Sequence, residues 1–273
     1  AEARDEFAPV EEDAEAIDRA DLVLMESTYG GRLHRAREDT IEELGEILTS
    51  ARSRQGNILV PAFSIGRSQE ILYQLGKHYE AWDLGRFRIF LDSPMAIEAS
   101  RVYWEYSHLY DEEATRLRFD HDGMPLLPNL QLSRAAEESM AINEIRSGAI
   151  VIAGSGMCNG GRIVHHLKHN LGRAETQVLI TGYQAQGTLG RRLVDHGQDI
   201  PVRATVHTLG GLSAHGDQDD LARWYECMEN RPPVWLVHGE VGAQEAFRSY
   251  LGKRSGATVH LPRPGDTLDL ASV

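Results

Sequence analysis

Two histidines in the C-terminal quarter of the chain sit in similar settings, His215 in LSAHGDQDDL and His238 in WLVHGE, each beside a glycine at the edge of an apolar run. An imidazole so placed can hold a metal ion or pass a proton near neutral pH, and it can also do no more than bond to backbone. Far upstream, ESTYGG carries Glu26. A carboxylate behind an imidazole fixes its tautomer and favours the imidazolium, so the three residues suit one another chemically. The chain has 12 histidines, so spacing has to select among them. His165 and His169 have i, i+4 spacing in a helical pattern, but no acid lies in register with them, and they read as a solvated helix face. Asp120-His121-Asp122 falls in an irregular glycine-containing loop, where solvation is the better explanation. His34, His78, His108, His196, His207 and His260 have no companion spacing and read as structural or surface residues.

Other chemistry-bearing residues lie in loops that follow apolar runs: ESTYGG after DLVLM, PAFSIGRSQE after NILV, LDSPMA after FRIF, GSGMCNGGR after AIVIA and GYQAQGTLGRR after QVLIT. Gly66-Arg67-Ser68 and Gly160-Gly161-Arg162 each precede a helical pattern. The open N–H groups and dipole of a helix start suit an anion there, and an arginine adds a fork for phosphate. Arg67 and Arg162 are therefore substrate-binding candidates, joined by Ser27, Ser64, Ser155 and Thr188 in the same loops. The bland alternative is that these glycines only turn the chain. Gly154, Gly156 and Gly160 also imitate a dinucleotide fingerprint, but the next strand, QVLIT, ends in Gly182-Tyr183-Gln184 where a ribose-binding acid would be required.

The elements that must position these loops follow from periodicity. DLVLM (21–25), NILVPA (57–62), FRIFL (87–91), AIVIA (149–153), QVLIT (177–181), RATVHT (203–208), PVWLVHG (233–239) and ATVHLP (257–262) read as short strands. Several are continuous apolar runs, as in strands buried on both faces. Helical patterns intervene at Ile41, Leu44, Leu48; at Ile71, Leu72, Leu75; at Ile163, Leu167, Leu171; and at Leu221, Trp224, Met228. The alternation predicts an α/β protein with largely parallel sheets, whose ligands gather at the carboxyl ends of the strands. Residues from about 100 to 145 are less regular, and AEARDEFAPVEEDAEAIDRAD, without an initiator Met, reads as a solvated linker or the edge of something longer.

Composition narrows the classes. With 273 residues, 41% of them apolar, the chain can fill one large or two moderate cores. No apolar run reaches the length of a membrane helix and no signal segment opens the sequence, so the cytoplasm is the expected location. Cys158 and Cys227 are too few for a disulfide framework and are expected to be plain buried thiols. A net charge of −13 argues against a passive nucleic-acid binder, so a polyanion would need locally gathered arginines or metal.

The segments ESTYGGRLHR, PAFSIGRSQEILY, GSGMCNGGRIVHHL, GYQAQGTLGRRL, LSAHGDQDDL and LVHGE, in this order, resemble the β-CASP branch of the metallo-β-lactamase superfamily, in particular the bacterial and archaeal relatives of the cleavage and polyadenylation specificity factor nuclease. The resemblance runs from about residue 20 to 262. It implies a β-CASP domain with a parallel sheet flanked by helices, inserted into an αββα lactamase sandwich, and RNA phosphodiesters cut by two zinc ions. It further implies that His238 is a zinc ligand, that His215 donates a proton near the scissile phosphate, and that Glu26 orients and charges His215. The expected layout is an end of the first lactamase segment (1–34), the β-CASP domain (35–172) and a returning lactamase segment (173–273). The family's H-x-H-x-D-H motif, which supplies most metal ligands, is not in residues 1–25, so the zinc site is expected to be incomplete in this chain. A non-catalytic RNA-binding module that has lost its metal is the alternative. Strands 21–25, 177–181 and 233–239 are expected to leave an apolar face that a second copy could cover, making a homodimer.

Overall fold

The structure, a computed structural model, describes residues 15–110, 127–195 and 201–270. The acidic opening stretch up to residue 14, Asp120-His121-Asp122 and His196 lie outside the described residues. The chain divides into two compact units, one holding Arg35–Ala214, the other joining the segment that ends at His34 to the one that begins at His215.

The first unit is a six-stranded parallel sheet flanked by helices. Its elements are α1 (Arg37–Ser53), β2 (Ile58–Pro61), α2 (Arg67–Lys77), β3 (Arg88–Leu91), α3 (Pro94–Glu105), β4 (Leu130–Leu132), α4 (Ala136–Ile142), β5 (Ala149–Ala153), α5 (Ile163–Asn170), β6 (Gln177–Ile180), α6 (Leu189–Val194) and β7 (Thr205–Thr208). The strand order is β4-β3-β5-β2-β6-β7, and every neighbouring pair is parallel. Strand side chains alternate between faces, so the central strands feed two separate cores. Ile58, Val60, Ile89, Leu91, Ile150 and Ile152 pack with Leu44, Leu48, Ile71, Leu75 and Ile97 of α1, α2 and α3. Leu59, Phe90, Val151 and Val178 pack with Ile142, Ile163, Leu167 and Leu193 of α4, α5 and α6. Burial on both faces is why NILV and AIVIA are unbroken apolar runs.

The sheet does not stop at residue 172. β6 and β7 extend it beside β2, so the first unit runs to Ala214, beyond the boundary expected from the motifs. The QVLIT strand is correspondingly buried throughout, and it leaves no open apolar face.

The second unit is built on a smaller parallel sheet of β1 (Val23–Glu26), β8 (Val234–Val237) and β9 (Val259–His260), in the order β1-β8-β9. Two helices, α7 (Gln218–Glu226) and α8 (Val241–Ser255), cover one face. Val23, Met25, Val234 and Leu236 turn toward Ala222, Tyr225, Met228, Phe247 and Leu251. The alternate residues turn the other way, leaving Leu24 63% and Val237 37% exposed beside a groove of about 1180 Å³ that Trp235 and His260 also line. Strands 21–25 and 233–239 thus carry the expected open apolar face. Cys158 is buried as expected, but Cys227 is exposed at the end of α7, where its thiol donates to the Arg223 carbonyl. No helix among the described residues is long and apolar enough to cross a membrane.

Close packing gives a direct test. A Cβ on Gly56 would fall 1.8 Å from the Glu175 carbonyl oxygen, whereas one on Gly172 would meet nothing within 4 Å. Gly56→Ala is expected to destabilise the protein by about 1–3 kcal/mol or more, as overpacking does, and Gly172→Ala by less than about 0.5 kcal/mol. Urea denaturation of both variants checks the difference.

Candidate active site

The second unit brings Glu26, His215 and His238 together. In the parallel register of β1 and β8, Glu26 lies level with Val237, so the residues that follow each strand meet side by side. Ser27 Oγ donates to the Val237 carbonyl at 2.9 Å. Thr28 Oγ1 donates to the His238 carbonyl at 3.0 Å and lies 3.2 Å from His238 Nδ1. The Thr28 N–H donates to Glu26 Oε2 at 2.8 Å. His238 adopts a left-handed backbone, φ 49°, a conformation that costs on the order of 1–3 kcal/mol and must be held by its surroundings. The following residue has to be glycine, because a Cβ at Gly239 would sit 2.3 Å from Ser27 Oγ.

His215 reaches the same place from the loop before α7. Its Nδ1 is 3.3 Å from Glu26 Oε1, and its ring centre is 5.2 Å from that of His238. The backbone behind it is fixed. His34 Nε2 donates to the His215 carbonyl at 2.7 Å, and the His34 N–H donates to Asp217 Oδ2 at 2.8 Å. Asp217 also caps α7, accepting from the N–H groups of Asp219 and Asp220, while Asp220 answers the Asp217 N–H in a capping box. Tyr29 packs edge-on against His34 at 4.5 Å. His34 and Asp217 therefore position the loop that carries His215. An Asp-x-x-Asp box ahead of a helical pattern could have marked Asp217, whereas nothing local marked His34 or Thr28.

Partial burial pushes the Glu26 carboxyl up, but hydrogen bonds from His215 and Thr28 outweigh it, and the net effect holds the group below the ordinary glutamate range. Ligand atoms of Glu26, His215 and His238 all lie within 4.8 Å of one another. Two imidazoles and a carboxylate are a donor set that suits zinc, and three protein ligands is the number a catalytic zinc takes. The expectation gave only His238 to a metal; Glu26 and His215 come within reach of the same position.

The substrate-binding candidates behave differently from one another. Ser27 is buried and its hydroxyl is spent on the Val237 carbonyl, so it braces the His238 turn rather than facing a ligand. Thr188 is likewise buried. It caps α6, donating to the Ala185 carbonyl and accepting from the Arg191 N–H. Ser64 Oγ lies 3.3 Å from Ser93 Oγ at the carboxyl edge of the six-stranded sheet. A Cβ on Gly154 would be 3.6 Å from the Ser64 oxygen and 3.9 Å from the Ser93 oxygen, so the loops after β2, β3 and β5 converge there. Ser155 Oγ is buried and has no hydrogen-bond partner among the described residues. Arg67 opens α2 directly after Gly66, whose φ is 76°. Arg162 precedes α5, but its guanidinium turns inward to Asp92 at 2.7 Å. Asp92 and His166, both buried, were not singled out by sequence, because the bond between them spans 74 positions.

A carboxyl whose pKa is lowered on folding stabilises the native state above its unfolded pKa, and that contribution is lost as pH falls through the folded value. The Glu26 contribution is therefore complete above about pH 5 and fades below about pH 4. Glu26→Gln is expected to give a shallower acid limb when stability from chemical denaturation is plotted against pH, with the curves parallel above about pH 6.

Two family descriptions match the chain: Beta-Casp domain over residues 68–193, and Zn-dependent metallo-hydrolase RNA specificity domain over residues 199–262. A ribonuclease of Thermus thermophilus is 41% identical over 255 residues, covering 90% of this chain and 58% of that protein. A transcription termination factor of Thermococcus kodakarensis is 30% identical over 269 residues, covering 92% of this chain and 41% of that protein. An RNase J-like protein of Methanocaldococcus jannaschii is 28% identical over 263 residues, covering 93% and 60%. The chain thus spans about 41–60% of the length of these relatives. With the parallel α/β architecture, the Glu26–His215–His238 cluster and these matches in agreement, the chain belongs to the β-CASP family of the metallo-β-lactamase superfamily.

Proposed function

We propose that the full-length protein hydrolyses RNA phosphodiesters with zinc bound, and that this chain supplies the proton-handling pair and part of the metal site. The observation that carries the reading is the Glu26–His215–His238 cluster, with its 3.3 Å Glu26–His215 contact and its shared 4.8 Å neighbourhood. The matched description of a zinc-dependent metallo-hydrolase RNA specificity domain and the ribonuclease relative support RNA and zinc as its partners.

His238 would hold zinc; Glu26 and His215, though within reach of the same position, are engaged with each other, so the remaining ligands would come from residues outside the cluster. When bound, zinc supplies an activated water and relieves charge on the non-bridging phosphate oxygens. The residues of this chain supply the rest. Glu26 stays ionised and accepts the Nδ1–H hydrogen bond of His215, which fixes the tautomer and orients the ring, and His215 passes a proton from its other ring nitrogen to the departing oxygen. Thr28 holds Glu26 through its N–H, and His34 holds the backbone of His215, so both partners of the proton transfer are braced from behind. In the other unit Arg67, at a helix start, grips phosphate.

His215→Ala is expected to slow cleavage about a hundred- to ten-thousandfold, the range for a lost general acid. Zinc content is expected to stay unchanged; loss of zinc in the variant would reassign His215 as a ligand, and unaltered cleavage would remove it from the mechanism. Glu26→Gln is expected to act in the same direction and to add little on top of His215→Ala, since the two work as one unit. Arg67→Ala is expected to weaken RNA binding and to lower the slope of log affinity against log salt by roughly 1. Binding that matched the parent across a salt titration would return that loop to the role of a turn.

A further inference from the structure

A second polar centre lies inside the six-stranded unit, and the chemistry assigned above does not use it. Asp92, in the loop after β3, is 0% exposed and accepts three side-chain hydrogen bonds. Arg162 donates to Oδ1 at 2.7 Å, while Ser139 and His166 each reach Oδ2 at 2.6 Å. His166 is 1% exposed, and its other ring nitrogen lies 2.8 Å from Asn143 Oδ1. Desolvating a fully buried carboxylate is costly, and removing one of its partners leaves the charge uncompensated, so Asp92 holds each partner firmly in place.

What the centre holds is one loop. Arg162 ends the glycine loop 154–161, and its guanidinium also donates to the Ser133 carbonyl at 2.9 Å and the Arg134 carbonyl at 2.7 Å. One side chain thereby ties together the loops that follow β3, β4 and β5. The glycine loop closes on itself through Ser155 N–H to Gly160 at 3.2 Å and Ile163 N–H to Gly154 at 3.0 Å. No side chain fits at Gly161, where a Cβ would lie 2.3 Å from the Gly154 oxygen and φ is 71°. The loop begins at Gly154, beside Ser64 and Ser93, and carries Ser155, whose buried hydroxyl lacks a partner among the described residues. Arg162 keeps 21% of its side chain exposed after making three inward bonds, and a guanidinium has five donors.

We propose that Asp92 is a positioning residue for RNA: it fixes Arg162, and through it the 154–161 loop, in the form that takes a backbone phosphate. The inference rests on the reading of RNA as substrate. Its specific content is that affinity depends on the orientation of Arg162 and not only on its charge. Asp92→Asn keeps the shape but loses the charge and turns an N–H₂ toward a donor. Arg162→Lys keeps the charge but cannot reach three acceptors in one plane.

The test uses the full-length protein and a single-stranded RNA oligonucleotide, with hydrogen–deuterium exchange of residues 154–162 recorded beside cleavage kinetics. In both variants exchange in the loop is expected to rise and KM to increase about tenfold, the loss expected for a hydrogen bond to a charged group, with kcat within about twofold. A more mobile loop with unchanged KM would show Asp92 to be structural only, and would overturn the proposal. Unchanged exchange in both variants would overturn it as well, by showing that the carboxylate does not hold the loop. If Asp92→Asn does not fold, Arg162→Lys alone decides, because parent-like KM in that variant means that charge suffices. RNA binding by the parent is the separate control: its failure sinks the RNA reading itself, whatever the variants do.

Discussion

The register between β1 and β8 is the constraint on which the site depends. Val23 lies opposite Val234 and Glu26 opposite Val237, so the first residues beyond each strand emerge as neighbours. A shift of one residue would turn Val23 and Met25 from the core to the open face and would carry Glu26 away from His215. The register is locked at its end by side chains. Ser27 and Thr28 reach across to the Val237 and His238 carbonyls, and the space Ser27 occupies leaves no room for a side chain at position 239. The left-handed turn at His238 is held by these bonds, and it aims an imidazole that a regular strand would have sent elsewhere.

The two polar centres differ in how exposed their charges are, and that sets what each can do. Glu26 and His215 keep 25% and 39% of their side chains in contact with solvent, so the pair can exchange protons. Asp92 and His166 are sealed, and every oxygen of the carboxylate is engaged. Burial pushes the Asp92 carboxyl up, yet bonds from His166, Ser139 and Arg162 bring it below the ordinary aspartate range.

Much of this arrangement was legible in the sequence where local pattern and local structure coincide. AIVIA and NILV are strands buried on both faces, as their short unbroken apolar runs, too brief for a helix, indicate. Strand β4 was not legible, since LQL offers three residues and no strong pattern. Helix α8 escaped because only Phe247 and Leu251 of its fifteen residues are buried. The boundary expected at 172 falls inside the six-stranded unit, which runs to Ala214, because an apolar run such as QVLIT states that it is buried but not which sheet it joins. In the site, Glu26, His215 and His238 were found through their loops. Ser27 and Thr188 were given to a substrate because a hydroxyl in a glycine loop looks the same on paper whether it faces a ligand or a carbonyl.

The two strands that carry Glu26 and His238 are also far apart in the order of synthesis. Ser27 and its acceptor at Val237 are separated by 210 positions, and the whole six-stranded unit lies between them. At about 5–20 residues per second, a ribosome takes roughly 10–40 s to deliver the second strand after the first. Throughout that interval Val23 and Met25 have no sheet to join, while the intervening unit, continuous in sequence, has all its strands once residue 208 has been made. The nascent chain therefore completes its six-stranded unit first and closes the smaller one last, so the Glu26–His215–His238 cluster forms only after translation has passed residue 238.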